Sequence, residues 1–198
     1  MKKFTLFLAM ALLLVTATMV KAESSSAGQD VQIDINEVAL LRIVDGATDV
    51  AFTIDVADEA TGGAEIEVIT KENLTHYLQY TSIVATEDTT RKITVQLNSE
   101  TKVPKGTVLS ITPTAAAAGN ENLKGILGTA VEAAVTWDED ETVSTKAKDV
   151  VTGIGSGYTG QDDADGAKIE YDLEIVDMEK LFKGTYTVKL LYTLTESE

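Results

Sequence analysis

Gln161, Asp163, Asp165, Gly166 and Asp172 fall at positions one, three, five, six and twelve of a calcium-loop template, the spacing at which oxygen ligands wrap a hard cation. Two of these ligands depart from the template. Gln161 stands where Asp is needed, Asp172 stands where a bidentate Glu is needed, and no helical pattern flanks the loop. The favoured reading is an ordinary solvated acidic turn, with a calcium site improvised from Asp162, Asp163 and Asp165 as the alternative. The run Asp138-Glu139-Asp140-Glu141 is a similar case: four adjacent carboxylates usually mark an exposed turn, and a cation site is the less favoured alternative.

Other constellations are weaker. Gly155-Ser156-Gly157-Tyr158-Thr159-Gly160 matches the glycine pattern of dinucleotide loops, but that chemistry needs a helix amino terminus to face the pyrophosphate. Here an acidic stretch and a strand pattern follow, so Gly153 to Gly160 reads as a loop with unusual backbone angles. His76 is the chain's one imidazole; no nucleophile-elbow context accompanies it, and it reads as a loop residue beside Asn73 and Tyr77. Nothing singles out two carboxylates among the 32 acids for glycosidase chemistry. Trp137, Tyr77, Tyr80 and Tyr158 could build a stacking platform for sugar rings. Trp137 and Tyr80, however, lie on the apolar phase of their runs, where a large ring fills the core. Asn73-Leu74-Thr75 fits the N-glycosylation sequon, which a bacterial origin would make incidental.

Composition narrows the field further. With one His and no Cys, thiolate chemistry, disulfides and multi-histidine metal centres are excluded, and no organic cofactor is expected. A net charge of −16 argues against nucleic acid and against anionic membrane surfaces, since both recruit Lys and Arg to phosphate. Lys2 and Lys3 precede the apolar run Phe4 to Val20, which ends in Val20-Lys21-Ala22, the pattern of a secretory signal peptide cleaved after Ala22. The expected product is therefore exported to the periplasm, cell surface or medium. It has no direct membrane insertion after signal cleavage, because no other segment could span a bilayer. An exported chain without cysteines suggests a bacterial route.

The elements that must position any site are strands. Residues 23–30 form a small, polar, flexible leader, after which period-two alternation dominates. It runs through Val31, Ile33 and Ile35; Val50 to Val56; Leu78 to Val84; Ile93 to Leu97; Leu109 and Ile111; Val131 to Trp137; Ile169 to Ile175; and Tyr186 to Leu194. Turn signals punctuate it at Asp45-Gly46, Thr61-Gly62-Gly63, Pro104-Lys105-Gly106, Ala118-Gly119-Asn120 and Lys183-Gly184. Many short strands at this spacing predict an all-β, immunoglobulin-like antiparallel β-sandwich, with residues 31–198 as a single domain. Leu123 to Ala134 has helical spacing, but Gly125 and Gly128 each cost about 1 kcal/mol in a helix, so a loop entering a strand is favoured. Asp177 to Phe182 reads as one helical turn.

Both ends carry strands that could belong to a neighbour. Val31, Ile33 and Ile35 follow the leader directly and lead into the denser Val38-Ala39-Leu40-Leu41; Gly184 to Thr195 alternates in the same way. Such strands can pair within the chain or be donated into another subunit, where main-chain bonds and alternate side-chain pockets hold them. That makes self-association, or association with other surface subunits, one expected partnership.

The chain also resembles a known group. Glu37-Val38-Ala39-Leu40-Leu41, Tyr80-Thr81-Ser82, Arg91 to Leu97, Val103-Pro104-Lys105-Gly106-Thr107, Gly153 to Gly160 and Gly184-Thr185-Tyr186-Thr187-Val188 look like uncharacterised secreted β-sandwich proteins of Bacteroidota. The likeness covers most of residues 31–195. The closing Leu190-Leu191-Tyr192-Thr193-Leu194-Thr195 is similar to the ends of pilin-like and WxL-type surface sandwiches, with Tyr192 where a WxL motif has Trp. The resemblance implies that Asp88-Thr89-Thr90 is an O-glycosylation acceptor at Thr89. Together these observations lead us to expect a non-catalytic cell-surface or fimbria-like structural or adhesion protein. The alternative is a soluble secreted binding module for glycan, protein or calcium.

Overall fold

Alternation becomes strand over most of the chain. The computed structural model describes residues 31–44, 49–56, 62–98, 101–117, 120–139 and 146–197. The signal segment 1–22, the leader 23–30, the turn Asp45-Gly46 and the acids Asp140 and Glu141 lie outside the described residues. The strands are β1 (Val38–Val44), β2 (Ala51–Val56), β3 (Ile66–Glu72), β4 (Thr75–Ile83), β5 (Arg91–Leu97), β6 (Thr107–Thr114), β7 (Lys124–Ala130), β8 (Val135–Trp137), β9 (Lys148–Tyr158), β10 (Ala167–Ile175) and β11 (Leu190–Glu196). A 3₁₀ turn at Met178–Lys180, capped by the Asp177 carboxylate on the Glu179 amide, is the helical turn predicted there. No helix among the described residues is long and apolar enough to cross a membrane.

Every strand pairing is antiparallel. One layer runs β1-β4-β10-β6-β8 and the other β11-β5-β9-β7, while β2 and β3 form a separate hairpin. The layers join at a corner on β4: its first half, Thr75 to Leu78, pairs with β10, and Thr81 and Ser82 pair with Tyr158 and Gly157 of β9. Strands that change partners in this way turn the corners of a sandwich.

The apolar phase of each strand then meets in one core. Leu78, Ile93, Val95, Ile111, Val150, Ile154 and Ile169 are fully buried, and Trp137 and Tyr80 join them rather than forming a sugar platform. Each fully buried aliphatic side chain contributes about 1.5–3 kcal/mol, so a core of this extent holds without disulfides. The architecture is an all-β antiparallel sandwich, as the alternation predicts.

Several local expectations are corrected. The segment Leu123 to Ala134 is not helix, and the strand comes earlier than the favoured reading had it: β7 occupies Lys124–Ala130 against β9, and residues 131–134 connect it to β8. Gly125 and Gly128 take φ of 88° and 77°, and a Cβ on either would strike β9 backbone, at Ser156 O and Thr152 O respectively. Glycine therefore lets two strands approach where helical spacing had suggested a helix. Gly153 to Tyr158 is likewise strand rather than loop; Gly153 lies between the Val151 and Ile154 pairings to β5, where the register shifts. The last alternating run forms strand only from Leu190, because Lys189 is fixed to the Asn98–Thr101 turn through Asn98 N–H to Lys189 O (2.9 Å) and Lys189 N–H to Thr101 Oγ1 (3.2 Å).

The body comprises Asn36–Glu198, and residues up to Ile35 form a separate unit. Val31, Ile33 and Ile35 belong to no strand, although their alternation predicts one, and they are 75, 77 and 77% exposed.

Candidate functional site

The acidic loop is the turn between β9 and β10, built where β4 changes partners. Thr159 bridges the change: its Oγ1 accepts from Tyr80 N–H (3.0 Å) and its own amide donates to Tyr80 O (3.1 Å). Beyond it, Asp165 points inward and is 2% exposed. Its carboxylate accepts from Asn120 Nδ2 (2.6 Å), the Asp162 amide (2.9 Å) and Asn122 Nδ2 (3.4 Å). Asn122 Nδ2 also donates to Asp162 Oδ2 (2.7 Å), and Asp163 is exposed. Gly160 takes φ of 86°, and a Cβ there would collide with Asp165 Oδ2. On the outer face of β4, Gln79 donates to Asp162 O (2.5 Å), and Arg42 bonds both Gln79 Oε1 (2.7 Å) and Gln161 O (3.0 Å).

The three predicted calcium carboxylates thus share one turn, but Asp162 and Asp165 face amide N–H donors, whereas a hard cation needs oxygen ligands. Asp172 is not brought to them. It lies within β10 and pairs with Lys71 (2.9 Å). Among the described residues no group of three or more His, Asp or Glu side chains is gathered to hold a metal ion. The second acidic run already meets a protein cation, since Lys180 Nζ lies 2.5 Å from Glu139 Oε1 and 3.4 Å from Asp177 Oδ2.

His76 is not a loop residue. It sits on β4 facing the core, 6% exposed, with Nδ1 3.4 Å from the Tyr171 hydroxyl, which lies 3.2 Å from that of Tyr192 on β11. A polar chain therefore crosses between the layers; Tyr171 and Tyr192 follow the apolar alternation of their strands, but nothing in the sequence brings the three together. Burial raises the Tyr171 pKa and holds that of Tyr192 well above the ordinary value of 10, because the phenolate loses its hydration. Tyr80, whose hydroxyl donates to Leu127 O (2.5 Å), is pushed up to about 12 by the same cause. Raised folded-state values mean that this stability is complete below pH 10 and is lost as pH climbs through the folded values. For Tyr80 alone the loss is on the order of 2 kcal/mol by pH 12. Urea midpoints should be flat from pH 8 to about 9.5 and fall steeply above about pH 10; a midpoint unchanged at about pH 11 would refute the buried phenols.

Thr89 lies in the turn between β4 and β5, half-buried, with its hydroxyl 2.7 Å from that of Thr86. Of the four rings read as a platform, Tyr158 is 45% exposed on β9, while Trp137 and Tyr80 are buried.

The lateral opening of the sandwich was not anticipated. β1 and β11 are the edges of the two layers on the same side; among the described residues neither is hydrogen-bonded to a second strand, and the two edges approach each other. On β1, Ala39, Leu41 and Ile43 stand opposite the buried Ser82, Tyr80 and Leu78 and so face the core, yet Leu41 is half-buried and Ile43 is 37% exposed. On β11, Leu190, Tyr192 and Leu194 stand opposite Leu97, Val95 and Ile93, which are at most 2% exposed, and all three are themselves only half-buried. The core faces of both edge strands are thus incompletely covered. At one end the opening is closed by Arg91, 4% exposed, which donates to Ile83 O and Ser82 Oγ (3.1 Å each) and Val38 O and pairs with Glu37.

Fold and sites together define the class of protein: an antiparallel β-sandwich whose layers end on one side in the edge strands β1 and β11, preceded by an exposed, apolar, alternating segment. No family model, no curated protein and no solved structure matches the chain.

Proposed function

We propose that this protein is an exported, non-catalytic surface or fimbria-like structural subunit that assembles by β-strand donation. The observation that carries the reading is the arm: Val31, Ile33 and Ile35 alternate with Gln32 and Asp34, belong to no strand, and are 75–77% exposed. Apolar side chains left in water at period two are what a strand offers to another chain's sheet edge, where pairing satisfies its backbone and burial rewards its side chains. The signal-peptide pattern and the resemblance to secreted Bacteroidota sandwiches with pilin-like ends support the same setting.

Unheated envelope and culture fractions, run on a denaturing gel beside boiled samples, should show a ladder that collapses to one band on boiling. Changing Val31, Ile33 and Ile35 together to Ser should abolish the ladder and leave the melting temperature of the monomer unchanged, since these side chains are 75–77% exposed. A single monomer band in both wild-type lanes would overturn assembly. A monomer whose melting temperature then rose with added glycan or millimolar calcium would establish the binding-module alternative.

A further inference from the structure

We infer that the arm's acceptor is the free edge of β11 in a second copy of this chain, beside β1, with residues 31–35 running antiparallel to Leu190–Leu194; this rests on the assembly reading above.

Among the described residues four edges end the two layers, and they are not equal as templates. β8 has three residues, and its core-facing Val135 and Trp137 are 7% and 1% exposed, so an added strand would cover nothing there. β7 is interrupted by two glycines at positive φ and by a register shift, which break the even succession of N–H and C=O groups that a new strand needs. β1 and β11 are both regular. β11 pairs with β5 over seven consecutive residues without a shift, and its core-facing Leu190, Tyr192 and Leu194 are all half-buried.

The arm complements β11 in both period and charge. Placing Ile33 opposite Tyr192 in antiparallel pairing sets Val31 opposite Leu194 and Ile35 opposite Leu190, so three exposed apolar side chains meet the three that are incompletely covered. The same register places Asp34 diagonal to Lys189, the cross-strand relation in which opposite charges attract. A second copy is required because Val38 is bonded to Arg91, which pairs with Glu196 at one end of β11, whereas this register sets Ile35 opposite Leu190, about 20 Å along the strand from that end at about 3.4 Å per residue, and the step from Ile35 to Val38 spans at most about 11 Å. The ion pair of Glu37 with Arg91 holds the start of β1 at that end.

The absence of cysteine makes crosslinking decisive. Gln32 and Thr193 are exposed positions that this register sets opposite each other, so neither change touches the core. Full-length chains carrying Gln32→Cys or Thr193→Cys, produced separately and mixed before oxidation, should give a disulfide-linked dimer that neither gives alone. Gln32→Cys mixed with Thr129→Cys, on the outer face of β7, should give none. A boiling-sensitive ladder with crosslinking to Thr129→Cys and not to Thr193→Cys would overturn the acceptor while leaving assembly intact. A chain carrying both Gln32→Cys and Thr193→Cys that closes its own disulfide as a monomer would overturn the second copy. Loss of ladder and crosslink together would overturn both readings.

Discussion

Asp165→Ala should lower the unfolding free energy by about 3–5 kcal/mol, the usual cost of removing one partner from a buried charged network. Three N–H groups from Asn120, Asn122 and Asp162 converge on this carboxylate, which water scarcely reaches. Without it the donors are left unpaired, and the turn that joins β9 to β10 loses its closure. In a body of this length the melting temperature should fall by roughly 10 °C, at about 2–4 °C per kcal/mol. Asp165→Asn keeps one acceptor oxygen but turns an amide toward the remaining donors, so it should recover no more than about half of the loss. The single tryptophan, buried at Trp137, reports the transition by fluorescence. The drop should be the same in chelator and in millimolar calcium. A drop confined to calcium would mean that the carboxylate serves a cation and not the asparagines.

Arg91→Leu should cost a comparable amount, about 3 kcal/mol or more, because the guanidinium gathers acceptors from β1 and β4 at the closed end of the lateral opening. Arg91→Lys should fail to restore it, since a single ammonium cannot reproduce the planar fork that reaches Val38, Ser82, Ile83 and Glu37 together. Glu37→Gln should cost less, about 1 kcal/mol or below, because the Glu37 side chain is 44% exposed and hydrates readily. Hydrogen exchange provides the local test: in Arg91→Leu the amides of β1 should exchange faster than those of β6 and β10. Uniform acceleration across both layers would mean that Arg91 supports the whole core and not the root of the arm.

How much was legible in advance follows from which physical signal each feature leaves in the chain. The wet and dry faces of β4, β5, β6 and β10 were readable because successive strand side chains point to opposite sides, so one apolar face writes itself as alternation. The core places of Trp137 and Tyr80 followed from that phase alone. β7 and the end of β9 were obscured because glycine at Gly125, Gly128, Gly155 and Gly157 removes side chains from the pattern while permitting the close strand approach that defines the element. His76 was misplaced because a lone imidazole among polar neighbours gives no phase, although it lies two residues before Leu78 on the same face.

The acidic turn shows the same boundary most clearly. Its three aspartates, their spacing and their exclusion from phosphate chemistry belong to the sequence. The burial of one of them against an asparagine 45 residues away belongs to the tertiary structure. The sequence by itself determined an antiparallel sandwich and an apolar arm, because local period and composition carry both. Which strands became neighbours, which edges stayed uncovered, and whether a carboxylate met water or amides were decided only by the fold, since such contacts join segments distant in sequence and depend on the assembly of both layers.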